Sequence, residues 1–245
     1  MGFFKNVGTL FDRLINPEEY ADIGTAGERF TYRELADWFK KRQIIRNVYL
    51  KKKNGELTEI DLLAVSQKCI LVVESKNYSG WIFGDEKDSN WTQTLGRDRK
   101  HSFFNPIIQN QVHIKALAHN LPDFPALPLL SLIVFSDRCT LKSVSCAAEN
   151  TYVIYRRDLP FIMKKTVHTM PKVISEEERD GIIDLLSATS RPDEAVKNEH
   201  LQQVLSKAER CPKCQGELVE RTAKHTGGTF LGCKNFPKCR YTEDC

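Results

Sequence analysis

Leu57-Thr58-Glu59-Ile60-Asp61-Leu62-Leu63-Ala64-Val65, and after Ser66-Gln67-Lys68 the run Cys69-Ile70-Leu71-Val72-Val73-Glu74-Ser75-Lys76, decide how this chain is read. Both runs are rich in aliphatic and β-branched residues and the break between them is short and polar, which predicts two adjacent antiparallel strands. Side chains alternate across a strand, so Ile70, Val72, Glu74 and Lys76 are expected on one face and Leu71, Val73 and Ser75 on the other. Apolar residues on both faces mark a central strand, where an unpaired carboxylate is costly to bury. Asp61 is expected to share its face with Leu57, Leu63 and Val65. A symmetric hairpin centred between Gln67 and Lys68 then sets Asp61 opposite Glu74, with Cβ atoms about 4.5–5.5 Å apart.

Two like charges at that spacing repel, and a divalent cation between them removes the penalty. Hard oxygen donors suit Mg²⁺ or Mn²⁺, which keep waters and accept phosphate oxygens. Lys76 adds a positioned cation, and the set has the parts for phosphodiester hydrolysis. The competing reading is a structural ion-pair network between neighbouring strands, because D…E-x-K is a short pattern.

Working outward, Asn54-Gly55 is a hairpin turn that joins a strand over Gln43 to Leu50 to the first run, giving a three-stranded meander. Thr25-Ala26-Gly27-Glu28 has capping-box spacing and opens a helix to about Lys40 with Phe30, Leu35, Trp38 and Phe39 as its apolar side. Tyr78 to Leu95 reads as a loop with one or two short edge strands. Asn105-Pro106 is an N-cap and first-turn proline for a helix to about His119. Strands are expected over Leu129 to Phe135 and Thr151 to Tyr155, with helices near Asp158 to Lys165 and Ser175 to Ser187. The polar stretch after Ala188 is read as a linker. The fold class is α/β, a mixed, partly antiparallel sheet flanked by helices. The expected organisation is a domain over 1–187, a linker over 188–209 and a small C-terminal domain over 210–245.

These residues resemble the nuclease-related domain family, whose members look like restriction-endonuclease-fold proteins of the PD-(D/E)xK type. The resemblance rests on Gly24-Thr25-Ala26-Gly27-Glu28, Glu59-Ile60-Asp61-Leu62, Val72-Val73-Glu74-Ser75-Lys76 and Asn105-Pro106-Ile107-Ile108-Gln109-Asn110-Gln111, in order across 21–121. It implies a restriction-endonuclease-like sheet, Asp61 and Glu74 as metal ligands, Lys76 as the catalytic lysine and Gln109 as a polar residue facing the site from a helix. It also implies Glu28 as an added acid from the first helix, against the alternative that its carboxylate caps Thr25. Ile60 stands where the broader pattern has proline.

Cys211-Pro212-Lys213-Cys214 and Cys233 to Cys239 give C-x₂-C, then 18 residues, then C-x₅-C. Zn²⁺ takes four thiolates as a tetrahedron from two such knuckles. The segment is too short for its own core, so structural zinc should supply most of its folding free energy. Cys211 to Thr242 is similar to the C-terminal zinc ribbons of type IA DNA topoisomerases, which implies binding of single-stranded DNA. Phe236 and Tyr241 are candidates for base stacking, and Arg221, Lys224, Lys234, Lys238 and Arg240 for phosphate contacts. Phe230 reads rather as part of the ribbon's core. Cys69, Cys139, Cys146 and Cys245 are expected to be reduced.

The net charge of +4 suits a polyanionic partner without requiring one. Met1 to Phe11 has no continuous apolar core and does not read as a secretory signal, and Leu127 to Phe135 is far short of the roughly 20 residues that span a bilayer. A cytoplasmic protein without membrane association or small-molecule cofactor is expected. The sequence reads as a Mg²⁺- or Mn²⁺-dependent deoxyribonuclease with a DNA-gripping ribbon, RNA being left open as a partner. The alternatives are a catalytically silent nucleic-acid-binding scaffold and a topoisomerase-associated DNA-binding factor.

Overall fold

The structure, a computed structural model, describes residues 26–96, 99–124, 126–190, 195–196, 199–200, 202–203, 210–211, 213–222 and 229–244. The chain divides into two compact units, Met1–Arg191 and Pro192–Cys245.

In the first unit, strands β1 (Ile44–Lys51), β2 (Leu57–Val65) and β3 (Ile70–Lys76) form the expected meander. With β7 (Leu129–Phe135) and β9 (Thr151–Tyr155) they complete a five-stranded mixed sheet in the order β1-β2-β3-β7-β9. β3, β7 and β9 run parallel. β3 is apolar on both faces because helices cover both. On one side lies helix α1 (Ala26–Ala36), followed by Phe39, and a short helix at Leu159–Ile162 that continues as a π turn. Tyr32, Leu35, Phe39, Leu71, Val73, Leu159 and Ile162 make that core. On the other side α2 (Pro106–Asn120) and α3 (Glu176–Ser187) pack Leu117, Ile182 and Leu186 onto Ile60, Leu63, Ile70 and Val72.

Asn105 caps α2 by accepting the Ile107 N–H at 2.9 Å, and Ser175 and Glu178 form a reciprocal capping box at α3. The helix expected to reach Lys40 stops at Ala36, and Phe30 and Trp38 face solvent. Tyr32, Leu35 and Phe39 carry the buried side instead, and Arg156 lies 4.9 Å over the Phe30 ring. Thr25 lies outside the described residues, and with it the capping box expected there.

The span from Tyr78 to Leu95, expected to be a loop with one or two short edge strands, supplies two strands of a second sheet, and neither is at its edge. β4 (Gly80–Asp85), β5 (Asn90–Leu95), β6 (Arg99–Phe104) and β8 (Cys139–Ser145) lie in the order β6-β5-β4-β8. The parallel pairing of β3 with β7 is taken up again by β4 with β8, so two adjacent strands pass together from one sheet to the next. Trp91 stacks on Phe135 with centroids 6.1 Å apart and is fully buried with Ile82, Ile107 and Ile133. Its indole N–H donates to the Asp85 carbonyl at 3.0 Å.

In the second unit, β10 (Leu218–Thr222), β11 (Thr229–Cys233) and β12 (Thr242–Asp244) form an antiparallel ribbon. Cys211, Cys233 and Cys239 are buried and Cys214 is exposed, and their four sulfurs lie within 4.8 Å of one another. The Sγ atoms of Cys214 and Cys233 are 3.4 Å apart and those of Cys211 and Cys239 3.6 Å. A tetrahedron with metal–sulfur bonds of about 2.3 Å has edges of about 3.8 Å, so the cluster fits Zn²⁺. The Gly216 N–H and Asn235 side chain hold the Cys214 thiol down near 6, while burial pushes Cys233 up to about 12.

Trp91 joins the two sheets of the first unit, so Trp91→Ala should cost about 3–5 kcal/mol of stability, read by urea denaturation. Serine at Cys211 and Cys214 together should remove about one equivalent of zinc by atomic absorption and expose the ribbon to proteolysis. Retained zinc in that variant would contradict a four-thiolate site.

Candidate nuclease centre and nucleic-acid interface

Strand pairing is interrupted around Asp61 on both sides. The β1–β2 register passes from Arg46 opposite Leu62 to Val48 opposite Ile60, skipping Asn47, whose φ of 50° is left-handed. The β2–β3 ladder runs from Val65–Ile70 to Leu62–Val73 and stops there. One step on, where the register would set Asp61 across from Glu74, an Asp61 carboxylate oxygen accepts the Ser75 N–H at 2.9 Å. Ile60 and Leu63 both enter the core under α2, so strict alternation fails at Asp61 and its carboxylate lies against the end of β3.

Glu74 is 2 % exposed. Lys76 Nζ lies 2.7 Å from its Oε1, and His113 Nε2 lies 3.3 Å from its Oε2. Lys76 also donates to Gln109 Oε1 at 3.2 Å. His113 Nδ1 is 2.8 Å from the Thr58 hydroxyl. Gln109 and His113 stand one helical turn apart on α2, which is why both reach the same strand end. The helix is fixed there by Asn110, which donates from Nδ2 to the Val72 carbonyl and to the Ser131 hydroxyl, each at 2.8 Å. Across the sheet, the Thr31 hydroxyl of α1 lies 3.1 Å from that of Ser75.

The two acids are electrically unlike. Burial and then the charge of Glu74 push Asp61 well above the usual carboxylate range, against the Ser75 N–H that favours its ionised form. Burial alone would raise Glu74 as well, but His113 and Lys76 hold it below its ordinary value. Burial works against the charge on Lys76, and Glu74 nevertheless keeps its amine above the usual value. Glu28, in the first turn of α1, is half-buried and adds negative potential at Asp61. Among the described residues only the four cysteines gather three or more ligand atoms within 4.8 Å of one another, so Glu28, Asp61 and Glu74 do not form such a group.

All five residues expected at this centre are therefore tied to one strand end, four from β2, β3 and α2 and Glu28 from α1. His113 and Thr58 went unread in the sequence. The one signal for His113 was its position four residues after Gln109.

On the ribbon, a cavity of about 200 Å³ is lined by Arg221, Phe230, Phe236, Arg240 and Tyr241 among others. Phe236 is 59 % exposed and Arg221 sits 5.9 Å over its ring while donating to the Cys233 carbonyl. Tyr241 packs against the cysteine core, whereas Phe230, expected in that core, is half-buried at the cavity. Lys234 is paired with Glu217 at 2.7 Å. Lys238 and Arg240 are exposed, and Lys224 and Cys245 lie outside the described residues.

Residues 23–136 match the family described as nuclease-related domain, and 208–245 match the topoisomerase DNA binding C4 zinc finger. The uncharacterized protein pXO1-01 of Bacillus anthracis is 32 % identical over 186 residues, covering 75 % of this chain and 84 % of that protein. DNA topoisomerase 1 of Methanothermobacter thermautotrophicus is 41 % identical over 46 residues, 19 % of this chain and 6 % of the enzyme. That of Pyrococcus horikoshii is 52 % identical over 33 residues, 14 % of this chain and 5 % of the enzyme. The chain thus spans only a small part of these topoisomerases. No solved structure matches it. Among the described residues no helix is long and apolar enough to cross a membrane. The chain belongs to the nuclease-related domain family and carries a C-terminal zinc finger of the topoisomerase DNA-binding type.

Proposed function

We propose that this protein is a divalent-metal-dependent deoxyribonuclease whose nuclease-related domain hydrolyses phosphodiester bonds and whose ribbon holds DNA, with a preference for single strands. The observation that carries the reading is the contrast between two adjacent acids, Glu74 buried and Asp61 half-buried. Glu74 has its cationic partner in Lys76, while burial and Glu74's negative charge beside it disfavour the ionised form of Asp61. Two neighbouring carboxylates whose charges oppose each other gain from a hard cation between them, and their oxygens suit Mg²⁺ or Mn²⁺. Asp61 and Glu74 would hold it, with Glu28 adding negative potential. When bound, it supplies charge neutralisation and polarisation of a phosphate oxygen.

The chain's own groups do the remaining work. Gln109 fixes the Lys76 amine, which is placed to meet a phosphate oxygen or an attacking water. His113, held by Thr58, orients the Glu74 carboxylate. On the ribbon, Phe236 offers a ring face to a base, with Arg221, Lys238 and Arg240 as phosphate contacts. A silent nucleic-acid-binding scaffold is the second reading. It is favoured by the ion pair of Glu74 Oε1 with Lys76, which already gives this acid a counter-charge within the chain.

Glu74→Ala and Lys76→Ala should each reduce cleavage of labelled DNA in Mn²⁺ by at least about a hundredfold, with the circular dichroism spectrum kept. Cleavage at the original rate in both variants refutes the centre, and absence of fragments from the unaltered protein favours the scaffold. For Asp61, the folded form binds its proton more tightly than the unfolded form, so its contribution to metal-free stability falls as pH rises past the ordinary carboxylate range. Asp61→Asn keeps an oxygen for the Ser75 N–H and removes the charge. It should raise metal-free stability at neutral pH by about 1–2 kcal/mol and abolish thermal stabilisation by Mn²⁺. An unchanged Mn²⁺ shift in the variant would contradict Asp61 as a ligand.

A further inference from the structure

The second sheet of the nuclease-related unit has one face that the proposed centre does not use. Its inner face is settled by the core, since Ile82, Trp91, Phe103 and Leu141 all pack toward Phe135. Alternation then turns the opposite residues outward. Trp81 on β4 stands between Thr140 of β8 and Thr94 of β5, and Thr94 in turn pairs with Lys100 of β6. Phe83, two residues along, pairs with Thr92, which pairs with Ser102, and Phe104 follows beside Asn90. Trp81 is 51 % exposed and Phe104 50 %, in a unit whose other large aromatics in this region are buried or half-buried.

This surface differs from an uncovered hydrophobic core. Its aromatics are separated by threonine and serine, and two lysines lie among them. Lys142, at an irregularity in β8, lies with its amine 5.4 Å from the centre of the Trp81 ring, and Lys100 is exposed on the same rows. The carboxylate at its far end, Asp85, is engaged by the Ser145 hydroxyl and the Lys87 N–H. Successive outward residues on a strand stand about 7 Å apart, so Trp81 and Phe83 offer adjacent ring positions, while Lys142 lies on the next strand and Lys100 two strands, about 10 Å, to the other side. Ring faces with interleaved cations match a polyanion with unpaired bases, because stacking needs an exposed base face and the lysines need phosphates.

We infer that the outer face of the β6-β5-β4-β8 sheet is a stacking platform for single-stranded DNA, separate from both the acid centre and the ribbon. Trp81 and Phe104 take bases, and Lys100 and Lys142 meet phosphates. Duplex DNA, with its bases stacked inside, gains only the lysines.

The test uses the full chain with its zinc bound and with no Mg²⁺ or Mn²⁺ added, so the ribbon stays folded and the outcome does not depend on whether the protein cleaves. An oligothymidylate of about 20 nucleotides carrying 5-iodouracil is cross-linked by ultraviolet light and the modified peptides are mapped. Cross-links at Trp81 or Phe104 are expected, and cross-links confined to ribbon peptides overturn the proposal. In parallel, Trp81→Ala and Phe104→Ala, both at exposed positions, should each weaken oligothymidylate binding by at least about fivefold and duplex binding by less than about twofold. Unchanged oligothymidylate affinity in both variants, or an equal loss on duplex, overturns it.

Discussion

Everything proposed for the nuclease-related unit depends on keeping a charged Glu74 inside an apolar wall. Its strand is covered by helices on both faces, and an isolated carboxylate there would take up a proton rather than stay ionised. Lys76 from the same strand and His113 from α2 prevent that, and both are fixed in turn, one by Gln109 and the other by Thr58. The position of α2 is therefore part of the electrostatics. Asn110 bonds the helix to the Val72 carbonyl, two residues before Glu74, and to Ser131 on β7.

Asp61 shows the other side of the same constraint. The pairing of β2 with its neighbours lapses on both sides of it, and the Ser75 N–H that the ladder leaves over goes to its carboxylate. A local break in a sheet thereby becomes a way of holding an acid beside another acid. The arrangement stores repulsion that a cation would relieve, which is how a fold can favour metal binding without a closed ligand cage.

Much of this was legible in the sequence, for reasons that can be given residue by residue. The meander from β1 to β3 follows from two apolar runs and Asn54-Gly55, and the start of α2 from Asn105-Pro106. The four cysteines were legible because metal ligands must recur at knuckle spacing. The second sheet was read only in part: the short strands expected between Tyr78 and Leu95 are β4 and β5, but β6 and β8, which make them internal, were not expected, because these strands are short, broken by Gly84, and inward-facing at only a few positions such as Ile82 and Trp91. Their strand character comes from packing on Phe135, a contact remote in sequence. The lapse at Asp61 was missed for a related reason, since alternation is a local rule and the pairing that fails, at Asn47, lies on the neighbouring strand. His113 carries no pattern of its own and gains meaning only when α2 is docked.

Diffraction from crystals soaked in Mn²⁺, recorded near the manganese absorption edge, tests the account most directly. It predicts an anomalous peak bonded to oxygens of Asp61 and Glu74, with Lys76 still within reach of Glu74. A peak elsewhere with these two carboxylates unbound, or none at saturating Mn²⁺, would contradict it.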